Sequence, residues 1–399
     1  MAQALAGFRP ARRTPAEPVP LAAALHRVPA APVTAPHALP GFARSTVDGY
    51  AVRAADTYGV SDGLPGYLQV TGAVLMGPVI GTGPSVTVGP GAAVSMPTGG
   101  VLPPGADAVV MIEYTQQVMP GTIEVVRPVA PGEGVVRADE DAAPGAELVP
   151  AGRPLRAQDL AMLAAAGVTV VPVHARPRVT IFSTGDEVVP PEAATLRPGQ
   201  VRDATAVALA AMVAEAGGEP VRGGIVPDDA GALEAALRAA LPASDLIVIS
   251  AGSSVGARDE TAGVVRRLGT IWCHGIAVKP GKPTLLAECD GVPLIGLPGH
   301  PRSALVVFRL LGAPLVRQVG GCTVAPPEPS ARARLARDLP SAAGRLDVVQ
   351  VTVVDGVATP VFGLSALLSV ITAADGYVII PDEATGLDAG TEVDVTLYR

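Results

Sequence analysis

The stretch Ser244-Asp-Leu-Ile-Val-Ile-Ser-Ala-Gly-Ser-Ser-Val-Gly-Ala-Arg-Asp259 decides how this chain reads, together with Val278-Lys-Pro-Gly-Lys-Pro283 and Ile295-Gly-Leu-Pro-Gly-His-Pro-Arg-Ser303. Leu246–Ser250 is a short, wholly apolar run ending in a polar residue, the signature of a buried parallel strand. It opens into a Gly/Ser loop that ends in a carboxylate. The second segment sets two lysines three residues apart around a Pro-Gly turn, and the third is a Gly/Pro loop that opens a helix. Backbone N–H groups, fixed positive charge and one acid in a single α/β unit suit a phosphorylated or oxyanionic ligand.

Outward from that unit, strands and helices alternate. Strands are expected at Val179–Ser183, Arg222–Val226, Leu246–Ser250 and Pro293–Leu297. Helices are expected at Ala204–Ala216, Gly231–Leu241, Glu260–Leu268 and Arg302–Val319. The alternation predicts a mostly parallel sheet with helices on both faces, whose ligands sit beyond the carboxyl ends of the strands. Residues 37–135 read as all-β, with short apolar runs between Gly and Pro clusters. Residues 19–30 can form a short helix ended by prolines, and Gln158–Ala166 forms a second one. Residues 320–399 return to β composition.

Composition bounds the function. The 399 residues are 49% apolar, 17% charged and 3% aromatic, with a net charge of −8. Such a chain fills several cores with Ala, Val and Leu. Few aromatics and a negative balance argue against nucleic acid and anionic membrane as partners. Cys273, Cys289 and Cys322 are too few and too scattered for a disulfide framework or a zinc site, so a reduced, cytoplasmic setting is expected. Neither a signal peptide nor a membrane span is expected.

Several residues carry candidate chemistry. Lys279 and Lys282 flank a tight turn that would aim both ammonium groups at one place. Asp259 reads either as a helix cap or as a ligand for Mg²⁺, which favours one or two carboxylates with phosphate oxygens. Asp203 is a natural N-cap for the following helix, and Glu187 follows directly on a strand. His300 reads as a loop hydrogen-bonder rather than a base. The segments around Asp48, around Thr98 and around Arg137–Asp141 read, by composition, as turns and a solvated acidic face. The Gly/Ser loop is not a Walker A motif, and the chain lacks a nucleophile elbow.

Taken in order, four segments resemble the molybdopterin molybdenumtransferase family, whose eukaryotic relative is the gephyrin E domain. They are Ser45-Thr-Val-Asp-Gly-Tyr-Ala-Val-Arg53; Met96-Pro-Thr-Gly99 with Leu102-Pro-Pro-Gly-Ala-Asp-Ala-Val-Val110; Ser183-Thr-Gly-Asp-Glu-Val188; and the opening segment with its Lys-Pro-Gly-Lys-Pro and Leu-Pro-Gly-His-Pro parts. The resemblance runs from about residue 19 to 397.

The resemblance implies a multidomain α/β plus β protein. Residues 1–36 and 136–175 would form an elongated hinge domain, and 37–135 an inserted β domain. Residues 176–319 would form a three-layer α/β domain of molybdopterin-adenylyltransferase type, and 320–399 a C-terminal β-barrel. It implies insertion of molybdate into adenylylated molybdopterin with release of AMP, assisted by Mg²⁺. It also implies a homodimer with a shared active cleft, and molybdoenzymes or cofactor carriers downstream. Asp48, Thr98, Glu187 and Asp259 would be catalytic, with Asp259, Glu187 and Asp203 holding the metal. Arg137, Asp141, Asp203, Gly252, Ser253, Ser254, Gly256, Lys279, Lys282, Ser303 and Ser365 would bind the pterin nucleotide.

The chain departs from the family pattern in places. Ala251 replaces the first glycine of a Gly-Gly pair, Thr205 follows Asp203-Ala where Asp-Ser-Asn is commoner, Asp139 stands at a glycine, and Gly275 at a lysine of some members. Two other readings stay open: a pterin adenylyltransferase, and a non-catalytic cofactor scaffold or carrier.

Overall fold

The computed structural model describes residues 8, 10–77, 86–250 and 255–398, with the backbone alone for 255–259. Ala251, Gly252, Ser253 and Ser254 lie outside the described residues.

The α/β part is built on a six-stranded sheet. Its order is Glu219–Val226, Arg178–Thr184, Leu246–Ser250, Val292–Leu297, Leu285–Cys289 and Gly269–His274. The first four strands run parallel. All five residues of Leu246–Ser250 and all six of Val292–Leu297 are buried, because helices cover both faces. Ala204–Glu215 and the helical run that starts at Pro301 pack on one face. Ala230–Ala240 and Val255–Leu268 pack on the other, giving three layers. The Ala204 and Ala230 helices start at Asp203 and Asp229, whose carboxylates accept from the N–H of Ala206 (3.0 Å) and Ala232 (2.7 Å).

The structure departs from the sequence reading here in three ways. Gly269–His274 and Leu285–Cys289 are antiparallel additions to the sheet. The helix expected from Glu260 begins at Val255, so Asp259 lies within it and not at its cap. The helix expected over 302–319 is interrupted by a π-helical turn at Phe308–Gly312.

A second six-stranded sheet holds Ala108–Met111, Gly49–Val52, Ala92–Met96, Gly66–Ala73, Thr122–Val125 and Thr115–Met119, in that order. Its two faces bury separate apolar clusters. The C-terminal region closes a ring of five strands: Leu346–Val354, Val357–Pro360, Ser330–Leu335, Glu392–Leu397 and Gly376–Ile380, which pairs back on the first. Val278–Lys279 adds to this barrel beside Leu346–Asp347, so a strand from the α/β part reaches into it.

The N-terminal stretch pairs with later segments. Ala16–Pro20 runs antiparallel to Val170–His174, Val33–Thr34 to Glu147–Val149, and Arg44–Ser45 to Val135–Val136. The helix expected over 19–30 is absent: a 3-10 turn at Leu21–Ala23 follows the Ala16–Pro20 strand, and His26 takes a left-handed φ of 63°. Strand pairing with a distant segment outweighs the local Ala/Leu propensity. No helix among the described residues is long and apolar enough to cross a membrane.

Candidate functional site

A cleft of about 1300 Å³ opens between the α/β sheet and the barrel. It is lined by Lys279, Lys282, Ser303 and Ser365, which sequence reasoning had named, and by Arg302 and Arg345, which it had not. The lining holds four basic side chains and one carboxylate, Asp347, a formal charge of +3 in a chain whose net charge is −8. The local balance therefore opposes the global one, and it favours an anion.

The lysine turn is rigid. Gly281 sits at φ 129°, and a Cβ there would lie 2.2 Å from Cγ2 of Val307, so only glycine lets the turn seat on the Pro301 helix. Thr284 Oγ1 donates to the Gly281 carbonyl at 2.7 Å, and the Ile276 N–H to the Lys282 carbonyl at 2.9 Å. The parallel register sets Lys279 beside Asp347, with Nζ 3.7 Å from Oδ2. Asp347 is buried and also takes Arg345 at 2.9 and 3.3 Å, so one carboxylate orients two cations. Among the described residues Lys282 has no acidic partner within 4.0 Å.

Ser303 is buried in the first turn of the Pro301–Val307 helix. Next to it Arg302 is also buried, with Nε on Gln350 Oε1 (2.7 Å) and Nη1 on the Gly363 carbonyl (2.7 Å). Both acceptors are neutral, and burial pushes the guanidinium pKa down. Ser365 Oγ lies 2.8 Å from His300 Nδ1, so His300 is a loop hydrogen-bonder that ties the barrel to the α/β part.

A second group gathers at the carboxyl end of Arg178–Thr184. Gly185, at φ 137°, makes room for the Glu187 carboxylate, since a Cβ would stand 2.6 Å from Oε2. The Glu187 carbonyl accepts from Val201 N–H at 2.8 Å, and Asp203 N–H donates to Val189 at 2.9 Å, so the two acids stand on paired segments. One Asp203 oxygen serves the helix cap. Asp186 Oδ1 accepts from the N–H of Asp228 at 3.2 Å. Partial desolvation, then the charges of Glu187 and Asp186, push the Asp228 carboxyl pKa up, and Glu260 adds to it. Glu260 belongs to the helix that also carries Gly256 and Asp259, whose side-chain surroundings lie outside the described residues. Among the described residues no three His, Cys, Asp or Glu side chains form a ready metal cage. Asp228 was not singled out in the sequence, because nothing local marks it; only the strand order brings it to Asp186.

The third group is on the inserted sheet. Gly49 pairs with Met96 on one side and Met111 on the other, and a Cβ on it would stand 1.9 Å from the Val110 carbonyl. That register sets Asp48 beside Thr98. Asp48 Oδ1 accepts from Thr98 N–H at 2.7 Å and Oγ1 at 3.0 Å, and these bonds hold its pKa below the usual carboxylate range. Both residues are exposed, and neither lines the cleft. Arg137 and Asp141 are exposed in the loop beyond Val135–Val136, where the Arg137 N–H donates to Glu140 at 2.8 Å. Asp139 takes φ 64°, in the left-handed region.

Three family models match successive parts of the chain. The MoeA N-terminal region (domain I and II) matches residues 1–167, a probable molybdopterin binding domain 180–318, and the MoeA C-terminal region (domain IV) 332–398. The chain is 38% identical over 309 residues to a molybdopterin molybdenumtransferase of Nostoc sp., covering 76% of this chain and 70% of that one. It is 33% identical over 391 residues to that of Bacillus subtilis, covering 96% and 89%. A crystal structure of a molybdopterin biosynthesis moeA protein from Pyrococcus horikoshii superposes with a TM-score of 0.85 at 30% identity, covering 99% of this chain and 98% of that one.

Proposed function

The chain belongs to the molybdopterin molybdenumtransferase family, an enzyme family of molybdenum cofactor biosynthesis, and from that premise we propose that it inserts molybdate into adenylylated molybdopterin, releasing AMP and molybdenum cofactor. The single observation that carries this reading is the cleft with a formal charge of +3, in which Lys279, Lys282, Ser303 and Ser365 converge. A tetrahedral dianion matches compact ammonium charges and hydroxyl donors.

Lys282, without an acidic partner among the described residues, supplies uncompensated charge. Lys279 is held in place by Asp347. Ser303 and Ser365 offer hydroxyls to the oxyanion from two different parts of the chain. Farther along the same carboxyl edge of the parallel strands, Asp186, Glu187 and Asp228 gather three carboxylates, and partial desolvation, then the Glu187 and Asp186 charges, raises the Asp228 pKa. Glu187, Asp203 and Asp259 would supply the carboxylate oxygens that a hard divalent cation prefers. Bound Mg²⁺ would offset charge on the phosphate oxygens as the phosphoanhydride is cleaved. Gly252, Ser253, Ser254 and Gly256 would offer backbone or hydroxyl donors to the same phosphates. Asp48 and Thr98 would reach a neighbouring copy's cleft in a homodimer, with Arg137 and Asp141 beside them. A cytoplasmic setting suits three free cysteines.

The test incubates the protein with adenylylated molybdopterin, molybdate and Mg²⁺ and then adds an apo-molybdoenzyme. The expected result is activation of that enzyme well above a control without protein, and loss of activation in Asp259→Asn with the oligomeric state unchanged. Activation no greater than the control overturns the reading and leaves a carrier.

A further inference from the structure

The loop Phe362-Gly-Leu-Ser365 belongs to the barrel but is fixed to the α/β part at two points. Arg302 donates to the Gly363 carbonyl at 2.7 Å, and Ser365 meets His300 at 2.8 Å. Arg302 is itself anchored on Gln350. The pinned loop presents apolar side chains outward. Phe362 is 58% exposed and Leu364 74%. Phe8, Phe182 and Phe308 are buried in cores, and Phe42, the other exposed phenylalanine at 48%, does not line the cleft. Phe362 instead lines the same cleft as Lys279 and Lys282.

An exposed aromatic face fixed beside cations matches one kind of ligand: a planar heterocycle that carries an anionic group. We propose that Phe362 is the stacking platform for the pterin ring of the substrate, with Leu364 extending its apolar surface. The inference rests on the function proposed above. The dithiolene that receives the metal is borne on the ring system fused to the pterin, whereas the adenine is linked through the phosphates. An oxyanion on Lys279 and Lys282 therefore brings the pterin, not the adenine, to this wall. Arg302 and His300 are positioning residues that hold the platform in place.

The test compares wild type, Phe362→Ala and Phe362→Tyr in the molybdate-dependent release of AMP from adenylylated molybdopterin. The expected result is a KM for that substrate raised about tenfold in Phe362→Ala and restored in Phe362→Tyr, with the KM for molybdate and the affinity for free AMP unchanged. An active wild type with an unchanged KM in Phe362→Ala overturns the platform and leaves the proposed function standing. AMP affinity that falls in step with the substrate assigns the ring to adenine and overturns the pterin assignment. An inactive wild type overturns both the proposed function and the inference that rests on it.

Discussion

One oxygen of Asp48 accepts both the N–H and the hydroxyl of Thr98, at 2.7 and 3.0 Å. The two residues are fifty positions apart and meet because Gly49 pairs with Met96. The bonds favour the ionised carboxylate, the backbone N–H more than the hydroxyl. Thr98→Val removes the hydroxyl and keeps the N–H, so the Asp48 pKa should rise partway toward its ordinary value. A lowered carboxylate pKa adds stability above the unfolded value that is lost as pH falls through the folded one. The variant should therefore lose this contribution at slightly higher pH than wild type. Carboxyl NMR titration checks it; an Asp48 titration identical in both proteins contradicts the hydrogen-bond account.

Lys279 and Lys282 should not be equivalent. Lys279 shares Asp347 with Arg345, whereas Lys282 has no acidic partner among the described residues. Lys282→Gln should raise the KM for molybdate by about tenfold or more, as expected for a hydrogen bond to a charged group. Lys279→Gln should raise it less. Steady-state kinetics at varied molybdate decide the order, and the reverse order contradicts the charge balance assigned to the cleft.

Asp159 is buried between Arg153 (2.7 and 2.9 Å) and Arg156 (2.7 Å to its N–H). The Arg153 hydrogen bonds, set against burial, hold its pKa well below the usual range. The resulting stability is present above the unfolded carboxylate pKa and is lost as pH falls through the folded value. Asp159→Asn should therefore cost about 3 kcal/mol near neutral pH, and the deficit should shrink in acid. Denaturant melts at several pH values measure it, and a pH-independent deficit argues for packing instead.

Asp228 carries the opposite sign. Desolvation and the neighbouring Glu187 and Asp186 charges raise its pKa, so stability falls as pH rises through the ordinary carboxylate value toward the raised one. Asp228→Asn should melt higher than wild type at neutral pH. If these acids flank Mg²⁺, saturating Mg²⁺ should lower the Asp228 pKa. An Asp228 titration that is indifferent to Mg²⁺ separates this cluster from the metal.

Asp139 holds φ 64°, a conformation that glycine adopts without strain. Asp139→Gly should stabilise the protein by about 0.5–1 kcal/mol. A lower melting midpoint would show that the Asp139 side chain contributes more than its backbone costs.

The buried strands of the α/β sheet were legible because burial on both faces demands unbroken apolar runs, as in Leu246–Ser250. The antiparallel pair was not, although Cys289-Asp-Gly-Val292 carries its signal: Asp290 and Gly291 both take positive φ, at 47° and 74°, as a two-residue hairpin turn requires. The false helix near residue 19 came from local propensity that pairing with Val170–His174 overrides. Lys279, Lys282 and Ser303 could be named because each sits in a marked turn or helix start. Arg345 and Asp347 could not, since their roles arise from the register that sets Lys279 beside Asp347, nor could Arg302, whose partners Gln350 and Gly363 lie 48 and 61 positions away.

The central claim is that molybdate and the adenylylated pterin react on this protein. Its most direct test is AMP release from adenylylated molybdopterin with Mg²⁺ present, measured with and without molybdate. The account predicts release that depends on molybdate and falls sharply in Lys282→Gln. Tight binding of the substrate with no molybdate-dependent AMP would contradict it.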